Sequence, residues 1–224
     1  MQVNEAIRSR KSVRQFSSKT VDENTVRDIL NVAKWAASGG NLQPWKIKVL
    51  TGAPLNDLVQ KVQGNLASAQ METPEYNVYP PELKDPYKTR RRVVGQALYD
   101  LIGVPREDTA GKYRQLAKNF EFFGAPVGLF FVMDRQMEIG QYVDLGILMQ
   151  NIMLMARDKG LHTCPQEAWA QWPKTTAAFL NVPEDEMVFC GMALGYMDED
   201  ALINNLQSER ADLDEFVEFQ GFAE

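Results

Sequence analysis

Four cations, Arg8, Arg10, Lys11 and Arg14, crowd near the start of an otherwise acidic chain. In an extended segment Arg10, Ser12 and Arg14 fall on one side, because side chains alternate along a strand. Two guanidiniums and a hydroxyl on one side suit a phosphate or a carboxylate; a solvated basic face is the plainer alternative. Further on stands Ser38-Gly39-Gly40-Asn41-Leu42-Gln43-Pro44-Trp45. Its glycines admit a ligand close to the backbone, and Asn41 and Gln43 offer both donors and acceptors to a heterocycle with imide edges. A helix cap with Trp45 plugging the core explains the same residues. Cys164-Pro165-Gln166-Glu167 follows a short apolar run, where layered folds bind ligands or simply turn. The last apolar run closes on Gly191-Met192-Ala193-Leu194-Gly195-Tyr196, and Arg210 lies beyond it as another candidate phosphate cation.

The rest of the inventory narrows the chemistry. His162 is the one histidine, and Cys164 and Cys190 are the two cysteines. No CxxC, HExxH, GxSxG, GxGxxG or P-loop is present, so zinc, triad and nucleotide-fold chemistry lack their ligands. A bound organic cofactor is left to carry any reaction, with no metal. His162 lies inside an apparent strand and reads as structural. A net charge of −6 argues against nucleic acid as a partner. The uncharged runs Phe122–Met133 and Leu145–Ala156 are each too short for the roughly 18–20 apolar residues of a membrane span. The opening MQVNEAIRSRKSVRQF has no apolar core of a secretory signal, and a cytoplasmic protein with reduced thiols is expected.

The elements that must position these groups follow from periodicity. Helices are expected over 2–8, 22–37, 54–71, 88–102, 106–122, 138–159 and a short stretch ending at 180. Strands are expected over 45–51, 126–133, 161–163 and 187–196, with 10–16 extended. Residues 72–87 hold four of the 11 prolines and read as an irregular insertion. The 138–159 helix is apolar almost all round, which places it centrally or in a subunit interface. Strands interleaved with long helices give an α+β or α/β layered architecture in one domain over 1–224.

The order S-R-K-S-V-R-x-F, S-G-G-N-L-Q-P-W, N-F-x-F-F-G-A-P, G-L-x-T-C-P-Q, C-G-M-A-L-G-Y and S-E-R-A-x-L-x-E-F-V resembles the FMN-dependent nitroreductase family, over residues 4 to about 219. The branch it looks most like reduces nitroaromatic compounds, including nitrobenzoates and dinitroanilines. The resemblance implies an α+β three-layer sandwich with a mainly antiparallel sheet, in an intertwined homodimer with FMN at the interface. It implies NADPH or NADH as electron donor, ping-pong hydride transfer through the flavin N5, and nitroso and hydroxylamine products. Arg10, Lys11, Ser12 and Arg14 match the N-terminal FMN motif, and Ser38, Gly39, Asn41 and Gln43 the loop that reaches the flavin from the partner subunit. Pro165, Gln166 and Glu167 match the loop along the flavin. Gly195 and Arg210 match the closing strand and a phosphate-side cation, and Asn119 a flavin edge. No side chain is expected to be catalytic in its own right. Ser208 departs from the lysine of the enteric branch, which leaves more of the phosphate to Arg10 and Arg210. Residues 72–102 are expected to form a mobile lid whose Tyr76, Tyr79 and Tyr87 meet aromatic substrates, and 204–224 an arm on the partner. Two other readings stand beside this one. The same fold runs reductive dehalogenation, enone reduction or flavin fragmentation, and a non-catalytic flavin-binding protein would keep the same motifs.

Overall fold

A computed structural model describes residues 1–222. Four antiparallel strands form the central sheet in the order β1-β2-β4-β3: β1 (Trp45–Thr51), β2 (Val127–Asp134), β3 (His162–Gln166) and β4 (Glu186–Gly195). β2 is a continuous apolar run because it is covered on both faces. Leu129, Phe131 and Met133 pack with Val26 and Ile29 of α2 (Glu23–Ala33) and with Leu145, Leu148 and Ile152 of α6 (Ile139–Asp158). The alternate residues, Phe130 and Val132, pack with Leu55, Leu58 and Val62 of α3 (Gly52–Ala67) and with Trp169 and Trp172. Helix, sheet and helix give the three-layer α+β sandwich. α1 (Val3–Ser9) lies on α6, α7 (Pro173–Leu180) lies on β4, and α4 (Tyr87–Leu101) buries no residue.

The differences from the sequence-based expectations have local causes. α2 starts where Asp22 accepts the Thr25 amide at 2.9 Å, and it stops at Ala33, four residues before the expected end. α3 ends at Ala67, with Ala69 in the left-handed region (φ 53°). The 106–122 helix is really two elements. Asp108 caps α5 (Thr109–Ala117), and a 3-10 segment, Lys118–Gly124, follows with Phe122 and Phe123 at φ 49° and 54°. That strained turn folds Phe120, Phe122 and Phe123 into the core. β3 runs two residues past Cys164, so Pro165 and Gln166 lie in a strand and not in a strand-end loop. An edge strand tolerates Pro165, since one side needs no amide donor.

The basic segment docks on that edge. The Val13 amide donates to the Thr163 carbonyl at 3.0 Å, and Ser12 bridges Thr163 in parallel. Val13 enters the core, so the alternation turns its neighbours Ser12 and Arg14 the other way, and after a bend at Arg14 Phe16 enters the core as well. The C-terminal arm, with 3-10 turns at Leu202–Asn205 and Leu213–Glu215, lies on α4 of its own chain, where Arg90 meets Glu215 at 2.8 Å. Residues 223–224 of the expected arm lie outside the described residues. No helix among the described residues is long and apolar enough to cross a membrane.

Candidate active site

Two cavities meet at Arg14. The first, about 460 Å³, lies between the 8–14 segment and the arm and is lined by Arg8, Arg10, Lys11, Ser12, Arg14 and Arg210, with no acidic residue. None of its five cations forms an ion pair among the described residues. Burial, and then the Arg210 guanidinium, hold the Arg10 pKa below its ordinary value. The repulsion between them is what an anion would relieve. Ser208 accepts from Arg210 Nη1 at 2.8 Å, so the residue that departs from the enteric pattern orients the remaining cation. Buried Asn204 fastens the whole cradle. Its Oδ1 accepts the Arg14 amide at 2.9 Å, its Nδ2 donates to the Gln15 and Asp198 carbonyls at 2.8 Å, and its carbonyl accepts Lys11 Nζ at 2.6 Å.

The second cavity, about 830 Å³, has a largely apolar wall that includes Phe123, Met149 and Phe189. The end of β3 supplies one side through Pro165, Gln166 and Glu167, and Gln115 and Asn119 supply another. Gln166 is 2% exposed; its Nε2 donates to the Asn119 carbonyl at 2.6 Å, while its Oε1 has no partner. Gln115 Nε2 is likewise buried without a partner. Unsatisfied buried amides are uncommon enough to need a reason. Burial raises the Glu167 pKa.

The structure brings together Arg10, Lys11, Ser12, Arg14, Asn119, Pro165, Gln166, Glu167 and Arg210, and leaves five predicted cofactor residues elsewhere. Ser38, Gly39, Asn41 and Gln43 line neither cavity of their own chain. Their loop is held by Asp144, whose carboxylate accepts the Gly39 amide at 3.2 and 3.3 Å, and by the Gln43 amide donating to Ser38 Oγ at 3.1 Å. Gly195 lines neither cavity: a side chain there would meet Pro126 Cδ at 2.6 Å, so its role is packing and not admission of a flat ligand. Only Tyr79 of the three tyrosines lines the larger cavity. Tyr87 is exposed, and Tyr76 stacks on Phe189 at 5.1 Å and donates to its carbonyl at 2.6 Å. The start of the expected mobile lid is in fact tied down. Glu72 accepts the Lys174 and Thr175 amides at the N-terminus of α7, and Glu75 pairs with Arg135 at 3.0 and 3.1 Å.

His162 also lines neither cavity. Arg157 Nη1 lies 2.8 Å from His162 Nε2, and because a guanidinium only donates, Nε2 accepts and the ring is neutral. Burial, then Arg157 and Lys11, push its pKa down from 6.5 to about 4. Between those values the unfolded chain takes up a proton that the folded chain resists. The stability this contributes is therefore full above pH 6.5 and is lost as pH falls toward 4. Melting temperature should drop more steeply across that window in the parent than in His162→Asn, with turnover within a few-fold. Superimposable melting profiles would remove the pH effect, and a loss of the roughly 10²–10⁴-fold seen on deleting a general acid would make His162 catalytic.

Comparison with known proteins agrees with this geometry. The family model described as "Nitroreductase family" matches residues 7–196. A chloronitrobenzene nitroreductase of Comamonas testosteroni is 38% identical over 97% of this chain and 96% of its own. A 4-nitrobenzoate reductase of Pseudomonas putida is 35% identical over 96% and 94%. The crystal structure of an FMN and NADPH-dependent nitroreductase, NfnB, from Sphigopyxis sp. strain HMH superposes with a TM-score of 0.96 at 39% identity, covering 99% of this chain and 100% of the other. With sequence, fold and the order of the site segments in accord along nearly its whole length, the chain belongs to the nitroreductase family.

Proposed function

We propose that the protein is an FMN-dependent oxidoreductase that passes electrons from NADPH or NADH to nitroaromatic compounds. The observation that carries this reading is the pair of joined cavities. A cradle of cations with no acidic residue in its lining opens at Arg14 into an apolar slot edged by unpaired amides. These residues fit FMN: Arg10, Arg14 and Arg210 would hold the phosphate, and Gln166, Gln115 and Asn119 would meet the edges of the ring system. When bound, FMN would supply hydride acceptance and donation at N5, chemistry for which this chain has no side chain of its own. Phe123, Met149 and Phe189 would present one apolar surface to any flat reactant. Arg14, at the junction, would stabilise negative charge on the pyrimidine side.

A homodimer belongs to the same reading. α6 leaves Ile139, Val143 and Ile147 exposed along one side, and Trp35 is 83% exposed. A second copy covering this side would bring Ser38, Gly39, Asn41 and Gln43 toward the neighbouring cradle. Tyr79 on the cavity wall would influence which nitroarenes enter. The relatives act, by their names, on chloronitrobenzene and 4-nitrobenzoate, and compounds of that class are the expected acceptors. Two buried free thiols and the use of reduced nicotinamide suit a cytoplasmic setting.

Steady-state kinetics test the single slot. With NADPH and nitrobenzene varied together, double-reciprocal lines should be parallel, with hydroxylaminobenzene formed. Intersecting lines would mean that both reactants bind at once and would overturn the shared slot. Failure of reduced enzyme to be reoxidised by any nitroarene, with turnover of a halotyrosine or an enone instead, would replace the function itself.

A further inference from the structure

A second charged feature borders the larger cavity. A groove of about 770 Å³ runs between residues 80–84 and α4 and is lined by Lys84, Lys88, Arg91, Arg92 and Lys112, with Glu82 as its only acidic wall residue. None of these five cations makes an ion pair among the described residues. Their neighbour Arg90, by contrast, is matched by Glu215. Lys88 and Arg92 stand at i and i+4 on the helix, and like charges at that spacing repel. In a chain of net charge −6 this is a local concentration of positive charge, with Asp85 the carboxylate whose charge Lys88 and Arg92 feel and Glu82 in the groove wall.

The groove is continuous with the ring cavity, because Arg91 and Tyr99 line both. Arg91 sits 3.9 Å over the Tyr79 ring and Lys112 5.5 Å from the Tyr99 ring, so the junction offers aromatic faces backed by cations. A simple nitroarene is one ring and ends inside the cavity. A nicotinamide donor is a flat ring that continues into a pyrophosphate and an adenosine. Its phosphates must leave the cavity, and with the cradle given to the FMN phosphate this groove is a further exit that carries positive charge. Five cations exceed what the two charges of a pyrophosphate require, and the 2′-phosphate of NADPH adds roughly −1.5 to −2, as a phosphomonoester does.

We infer that this groove receives the phosphorylated adenosine end of NADPH and gives the enzyme its preference for NADPH over NADH, an inference that rests on the reading of the larger cavity as the reaction site. Lys88 and Arg92 are the specificity residues tested, since Arg91 also walls the reaction cavity.

The experiment is anaerobic stopped-flow reduction of the FMN-loaded enzyme by NADPH and, separately, by NADH. The parent should prefer NADPH. Lys88→Gln/Arg92→Gln should lower the second-order rate with NADPH by roughly tenfold or more, the effect of losing charged phosphate contacts, and leave NADH within about twofold. Lys88→Arg/Arg92→Lys should keep the preference. A parent indifferent to the 2′-phosphate, or equal losses with both donors, would overturn the inference. So would a loss confined to the oxidative step with 4-nitrobenzoate and absent with nitrobenzene, because the groove would then read a substrate carboxylate. Reoxidation of dithionite-reduced enzyme by nitrobenzene should be untouched by these variants; its absence in the parent would defeat the functional reading and not this one.

Discussion

Arg10→Ala should yield a folded protein that loses its flavin on gel filtration. Arg10 is half-buried, faces a cavity with no acid in its lining, and stands close enough to Arg210 for the two guanidiniums to depress the Arg10 pKa together with burial. Its side chain makes no hydrogen bond or ion pair among the described residues, so removing it costs the apo fold little. What it loses is a contact to the FMN phosphate. One charge-assisted hydrogen bond is worth about 1.5–3 kcal/mol, which weakens binding about tenfold to 150-fold. The thermal signature follows from linkage: the parent gains melting temperature on adding FMN, and the variant gains far less at the same concentration. Inorganic phosphate should reproduce a smaller version of the same difference. Arg10→Lys keeps the charge without the planar fork and should fall between the two. An alanine variant that retains stoichiometric FMN through gel filtration would move the phosphate elsewhere.

Sequence patterns reached the parts of this molecule that are regular. β1 was legible residue for residue, since an alternating run bounded by Pro44 and Gly52 has one reading. The cation cradle was legible because extended backbone puts Arg10, Ser12 and Arg14 on one side whatever they face. The residues that hold the site in place were not. Asp144 is the one charge in the apolar stretch from Ile139 to Ala156. That isolation was its only signal, and its task of holding the Gly39 amide depends on a contact 105 residues away in sequence. Asn204 gave no signal at all, because a buried asparagine in a polar tail looks like any other. Gly195 misled for the opposite reason. A glycine at a strand end suits a ligand and a proline ring equally well, and only the packing shows Pro126 against it. The tyrosines of the insertion were separated by packing too: Phe189 takes Tyr76, while Tyr79 turns to the cavity.

The largest loss of stability should come from Trp169, and it should be coupled to Gly191. Trp169 is fully buried among Phe122, Phe130 and Phe120, with ring centroids 4.8, 4.9 and 5.5 Å away. Trp169→Ala should cost about 3–5 kcal/mol, as other buried tryptophan truncations do. That is a large share of the roughly 5–15 kcal/mol that holds an ordinary domain together. On β4, a Cβ at Gly191 would lie 2.5 Å from Trp169 Cδ1 and 3.0 Å from its Nε1. Gly191→Ala must therefore displace the indole, at a cost of about 1–3 kcal/mol. The strain also reaches the site, because Gly191 pairs with Gln166 across the sheet and Trp169 belongs to the 3-10 turn that begins at Glu167. Gly191→Ala should accordingly shift the visible absorbance of bound FMN as well as the melting temperature. In a Trp169→Leu background the smaller side chain leaves room for the new methyl, so the same glycine substitution should become nearly neutral. A coupling of about 0.5–3 kcal/mol in that cycle is the expected size for residues in direct contact. Strictly additive losses, measured by denaturant titration of the four proteins, would show that Gly191 is not there to seat Trp169.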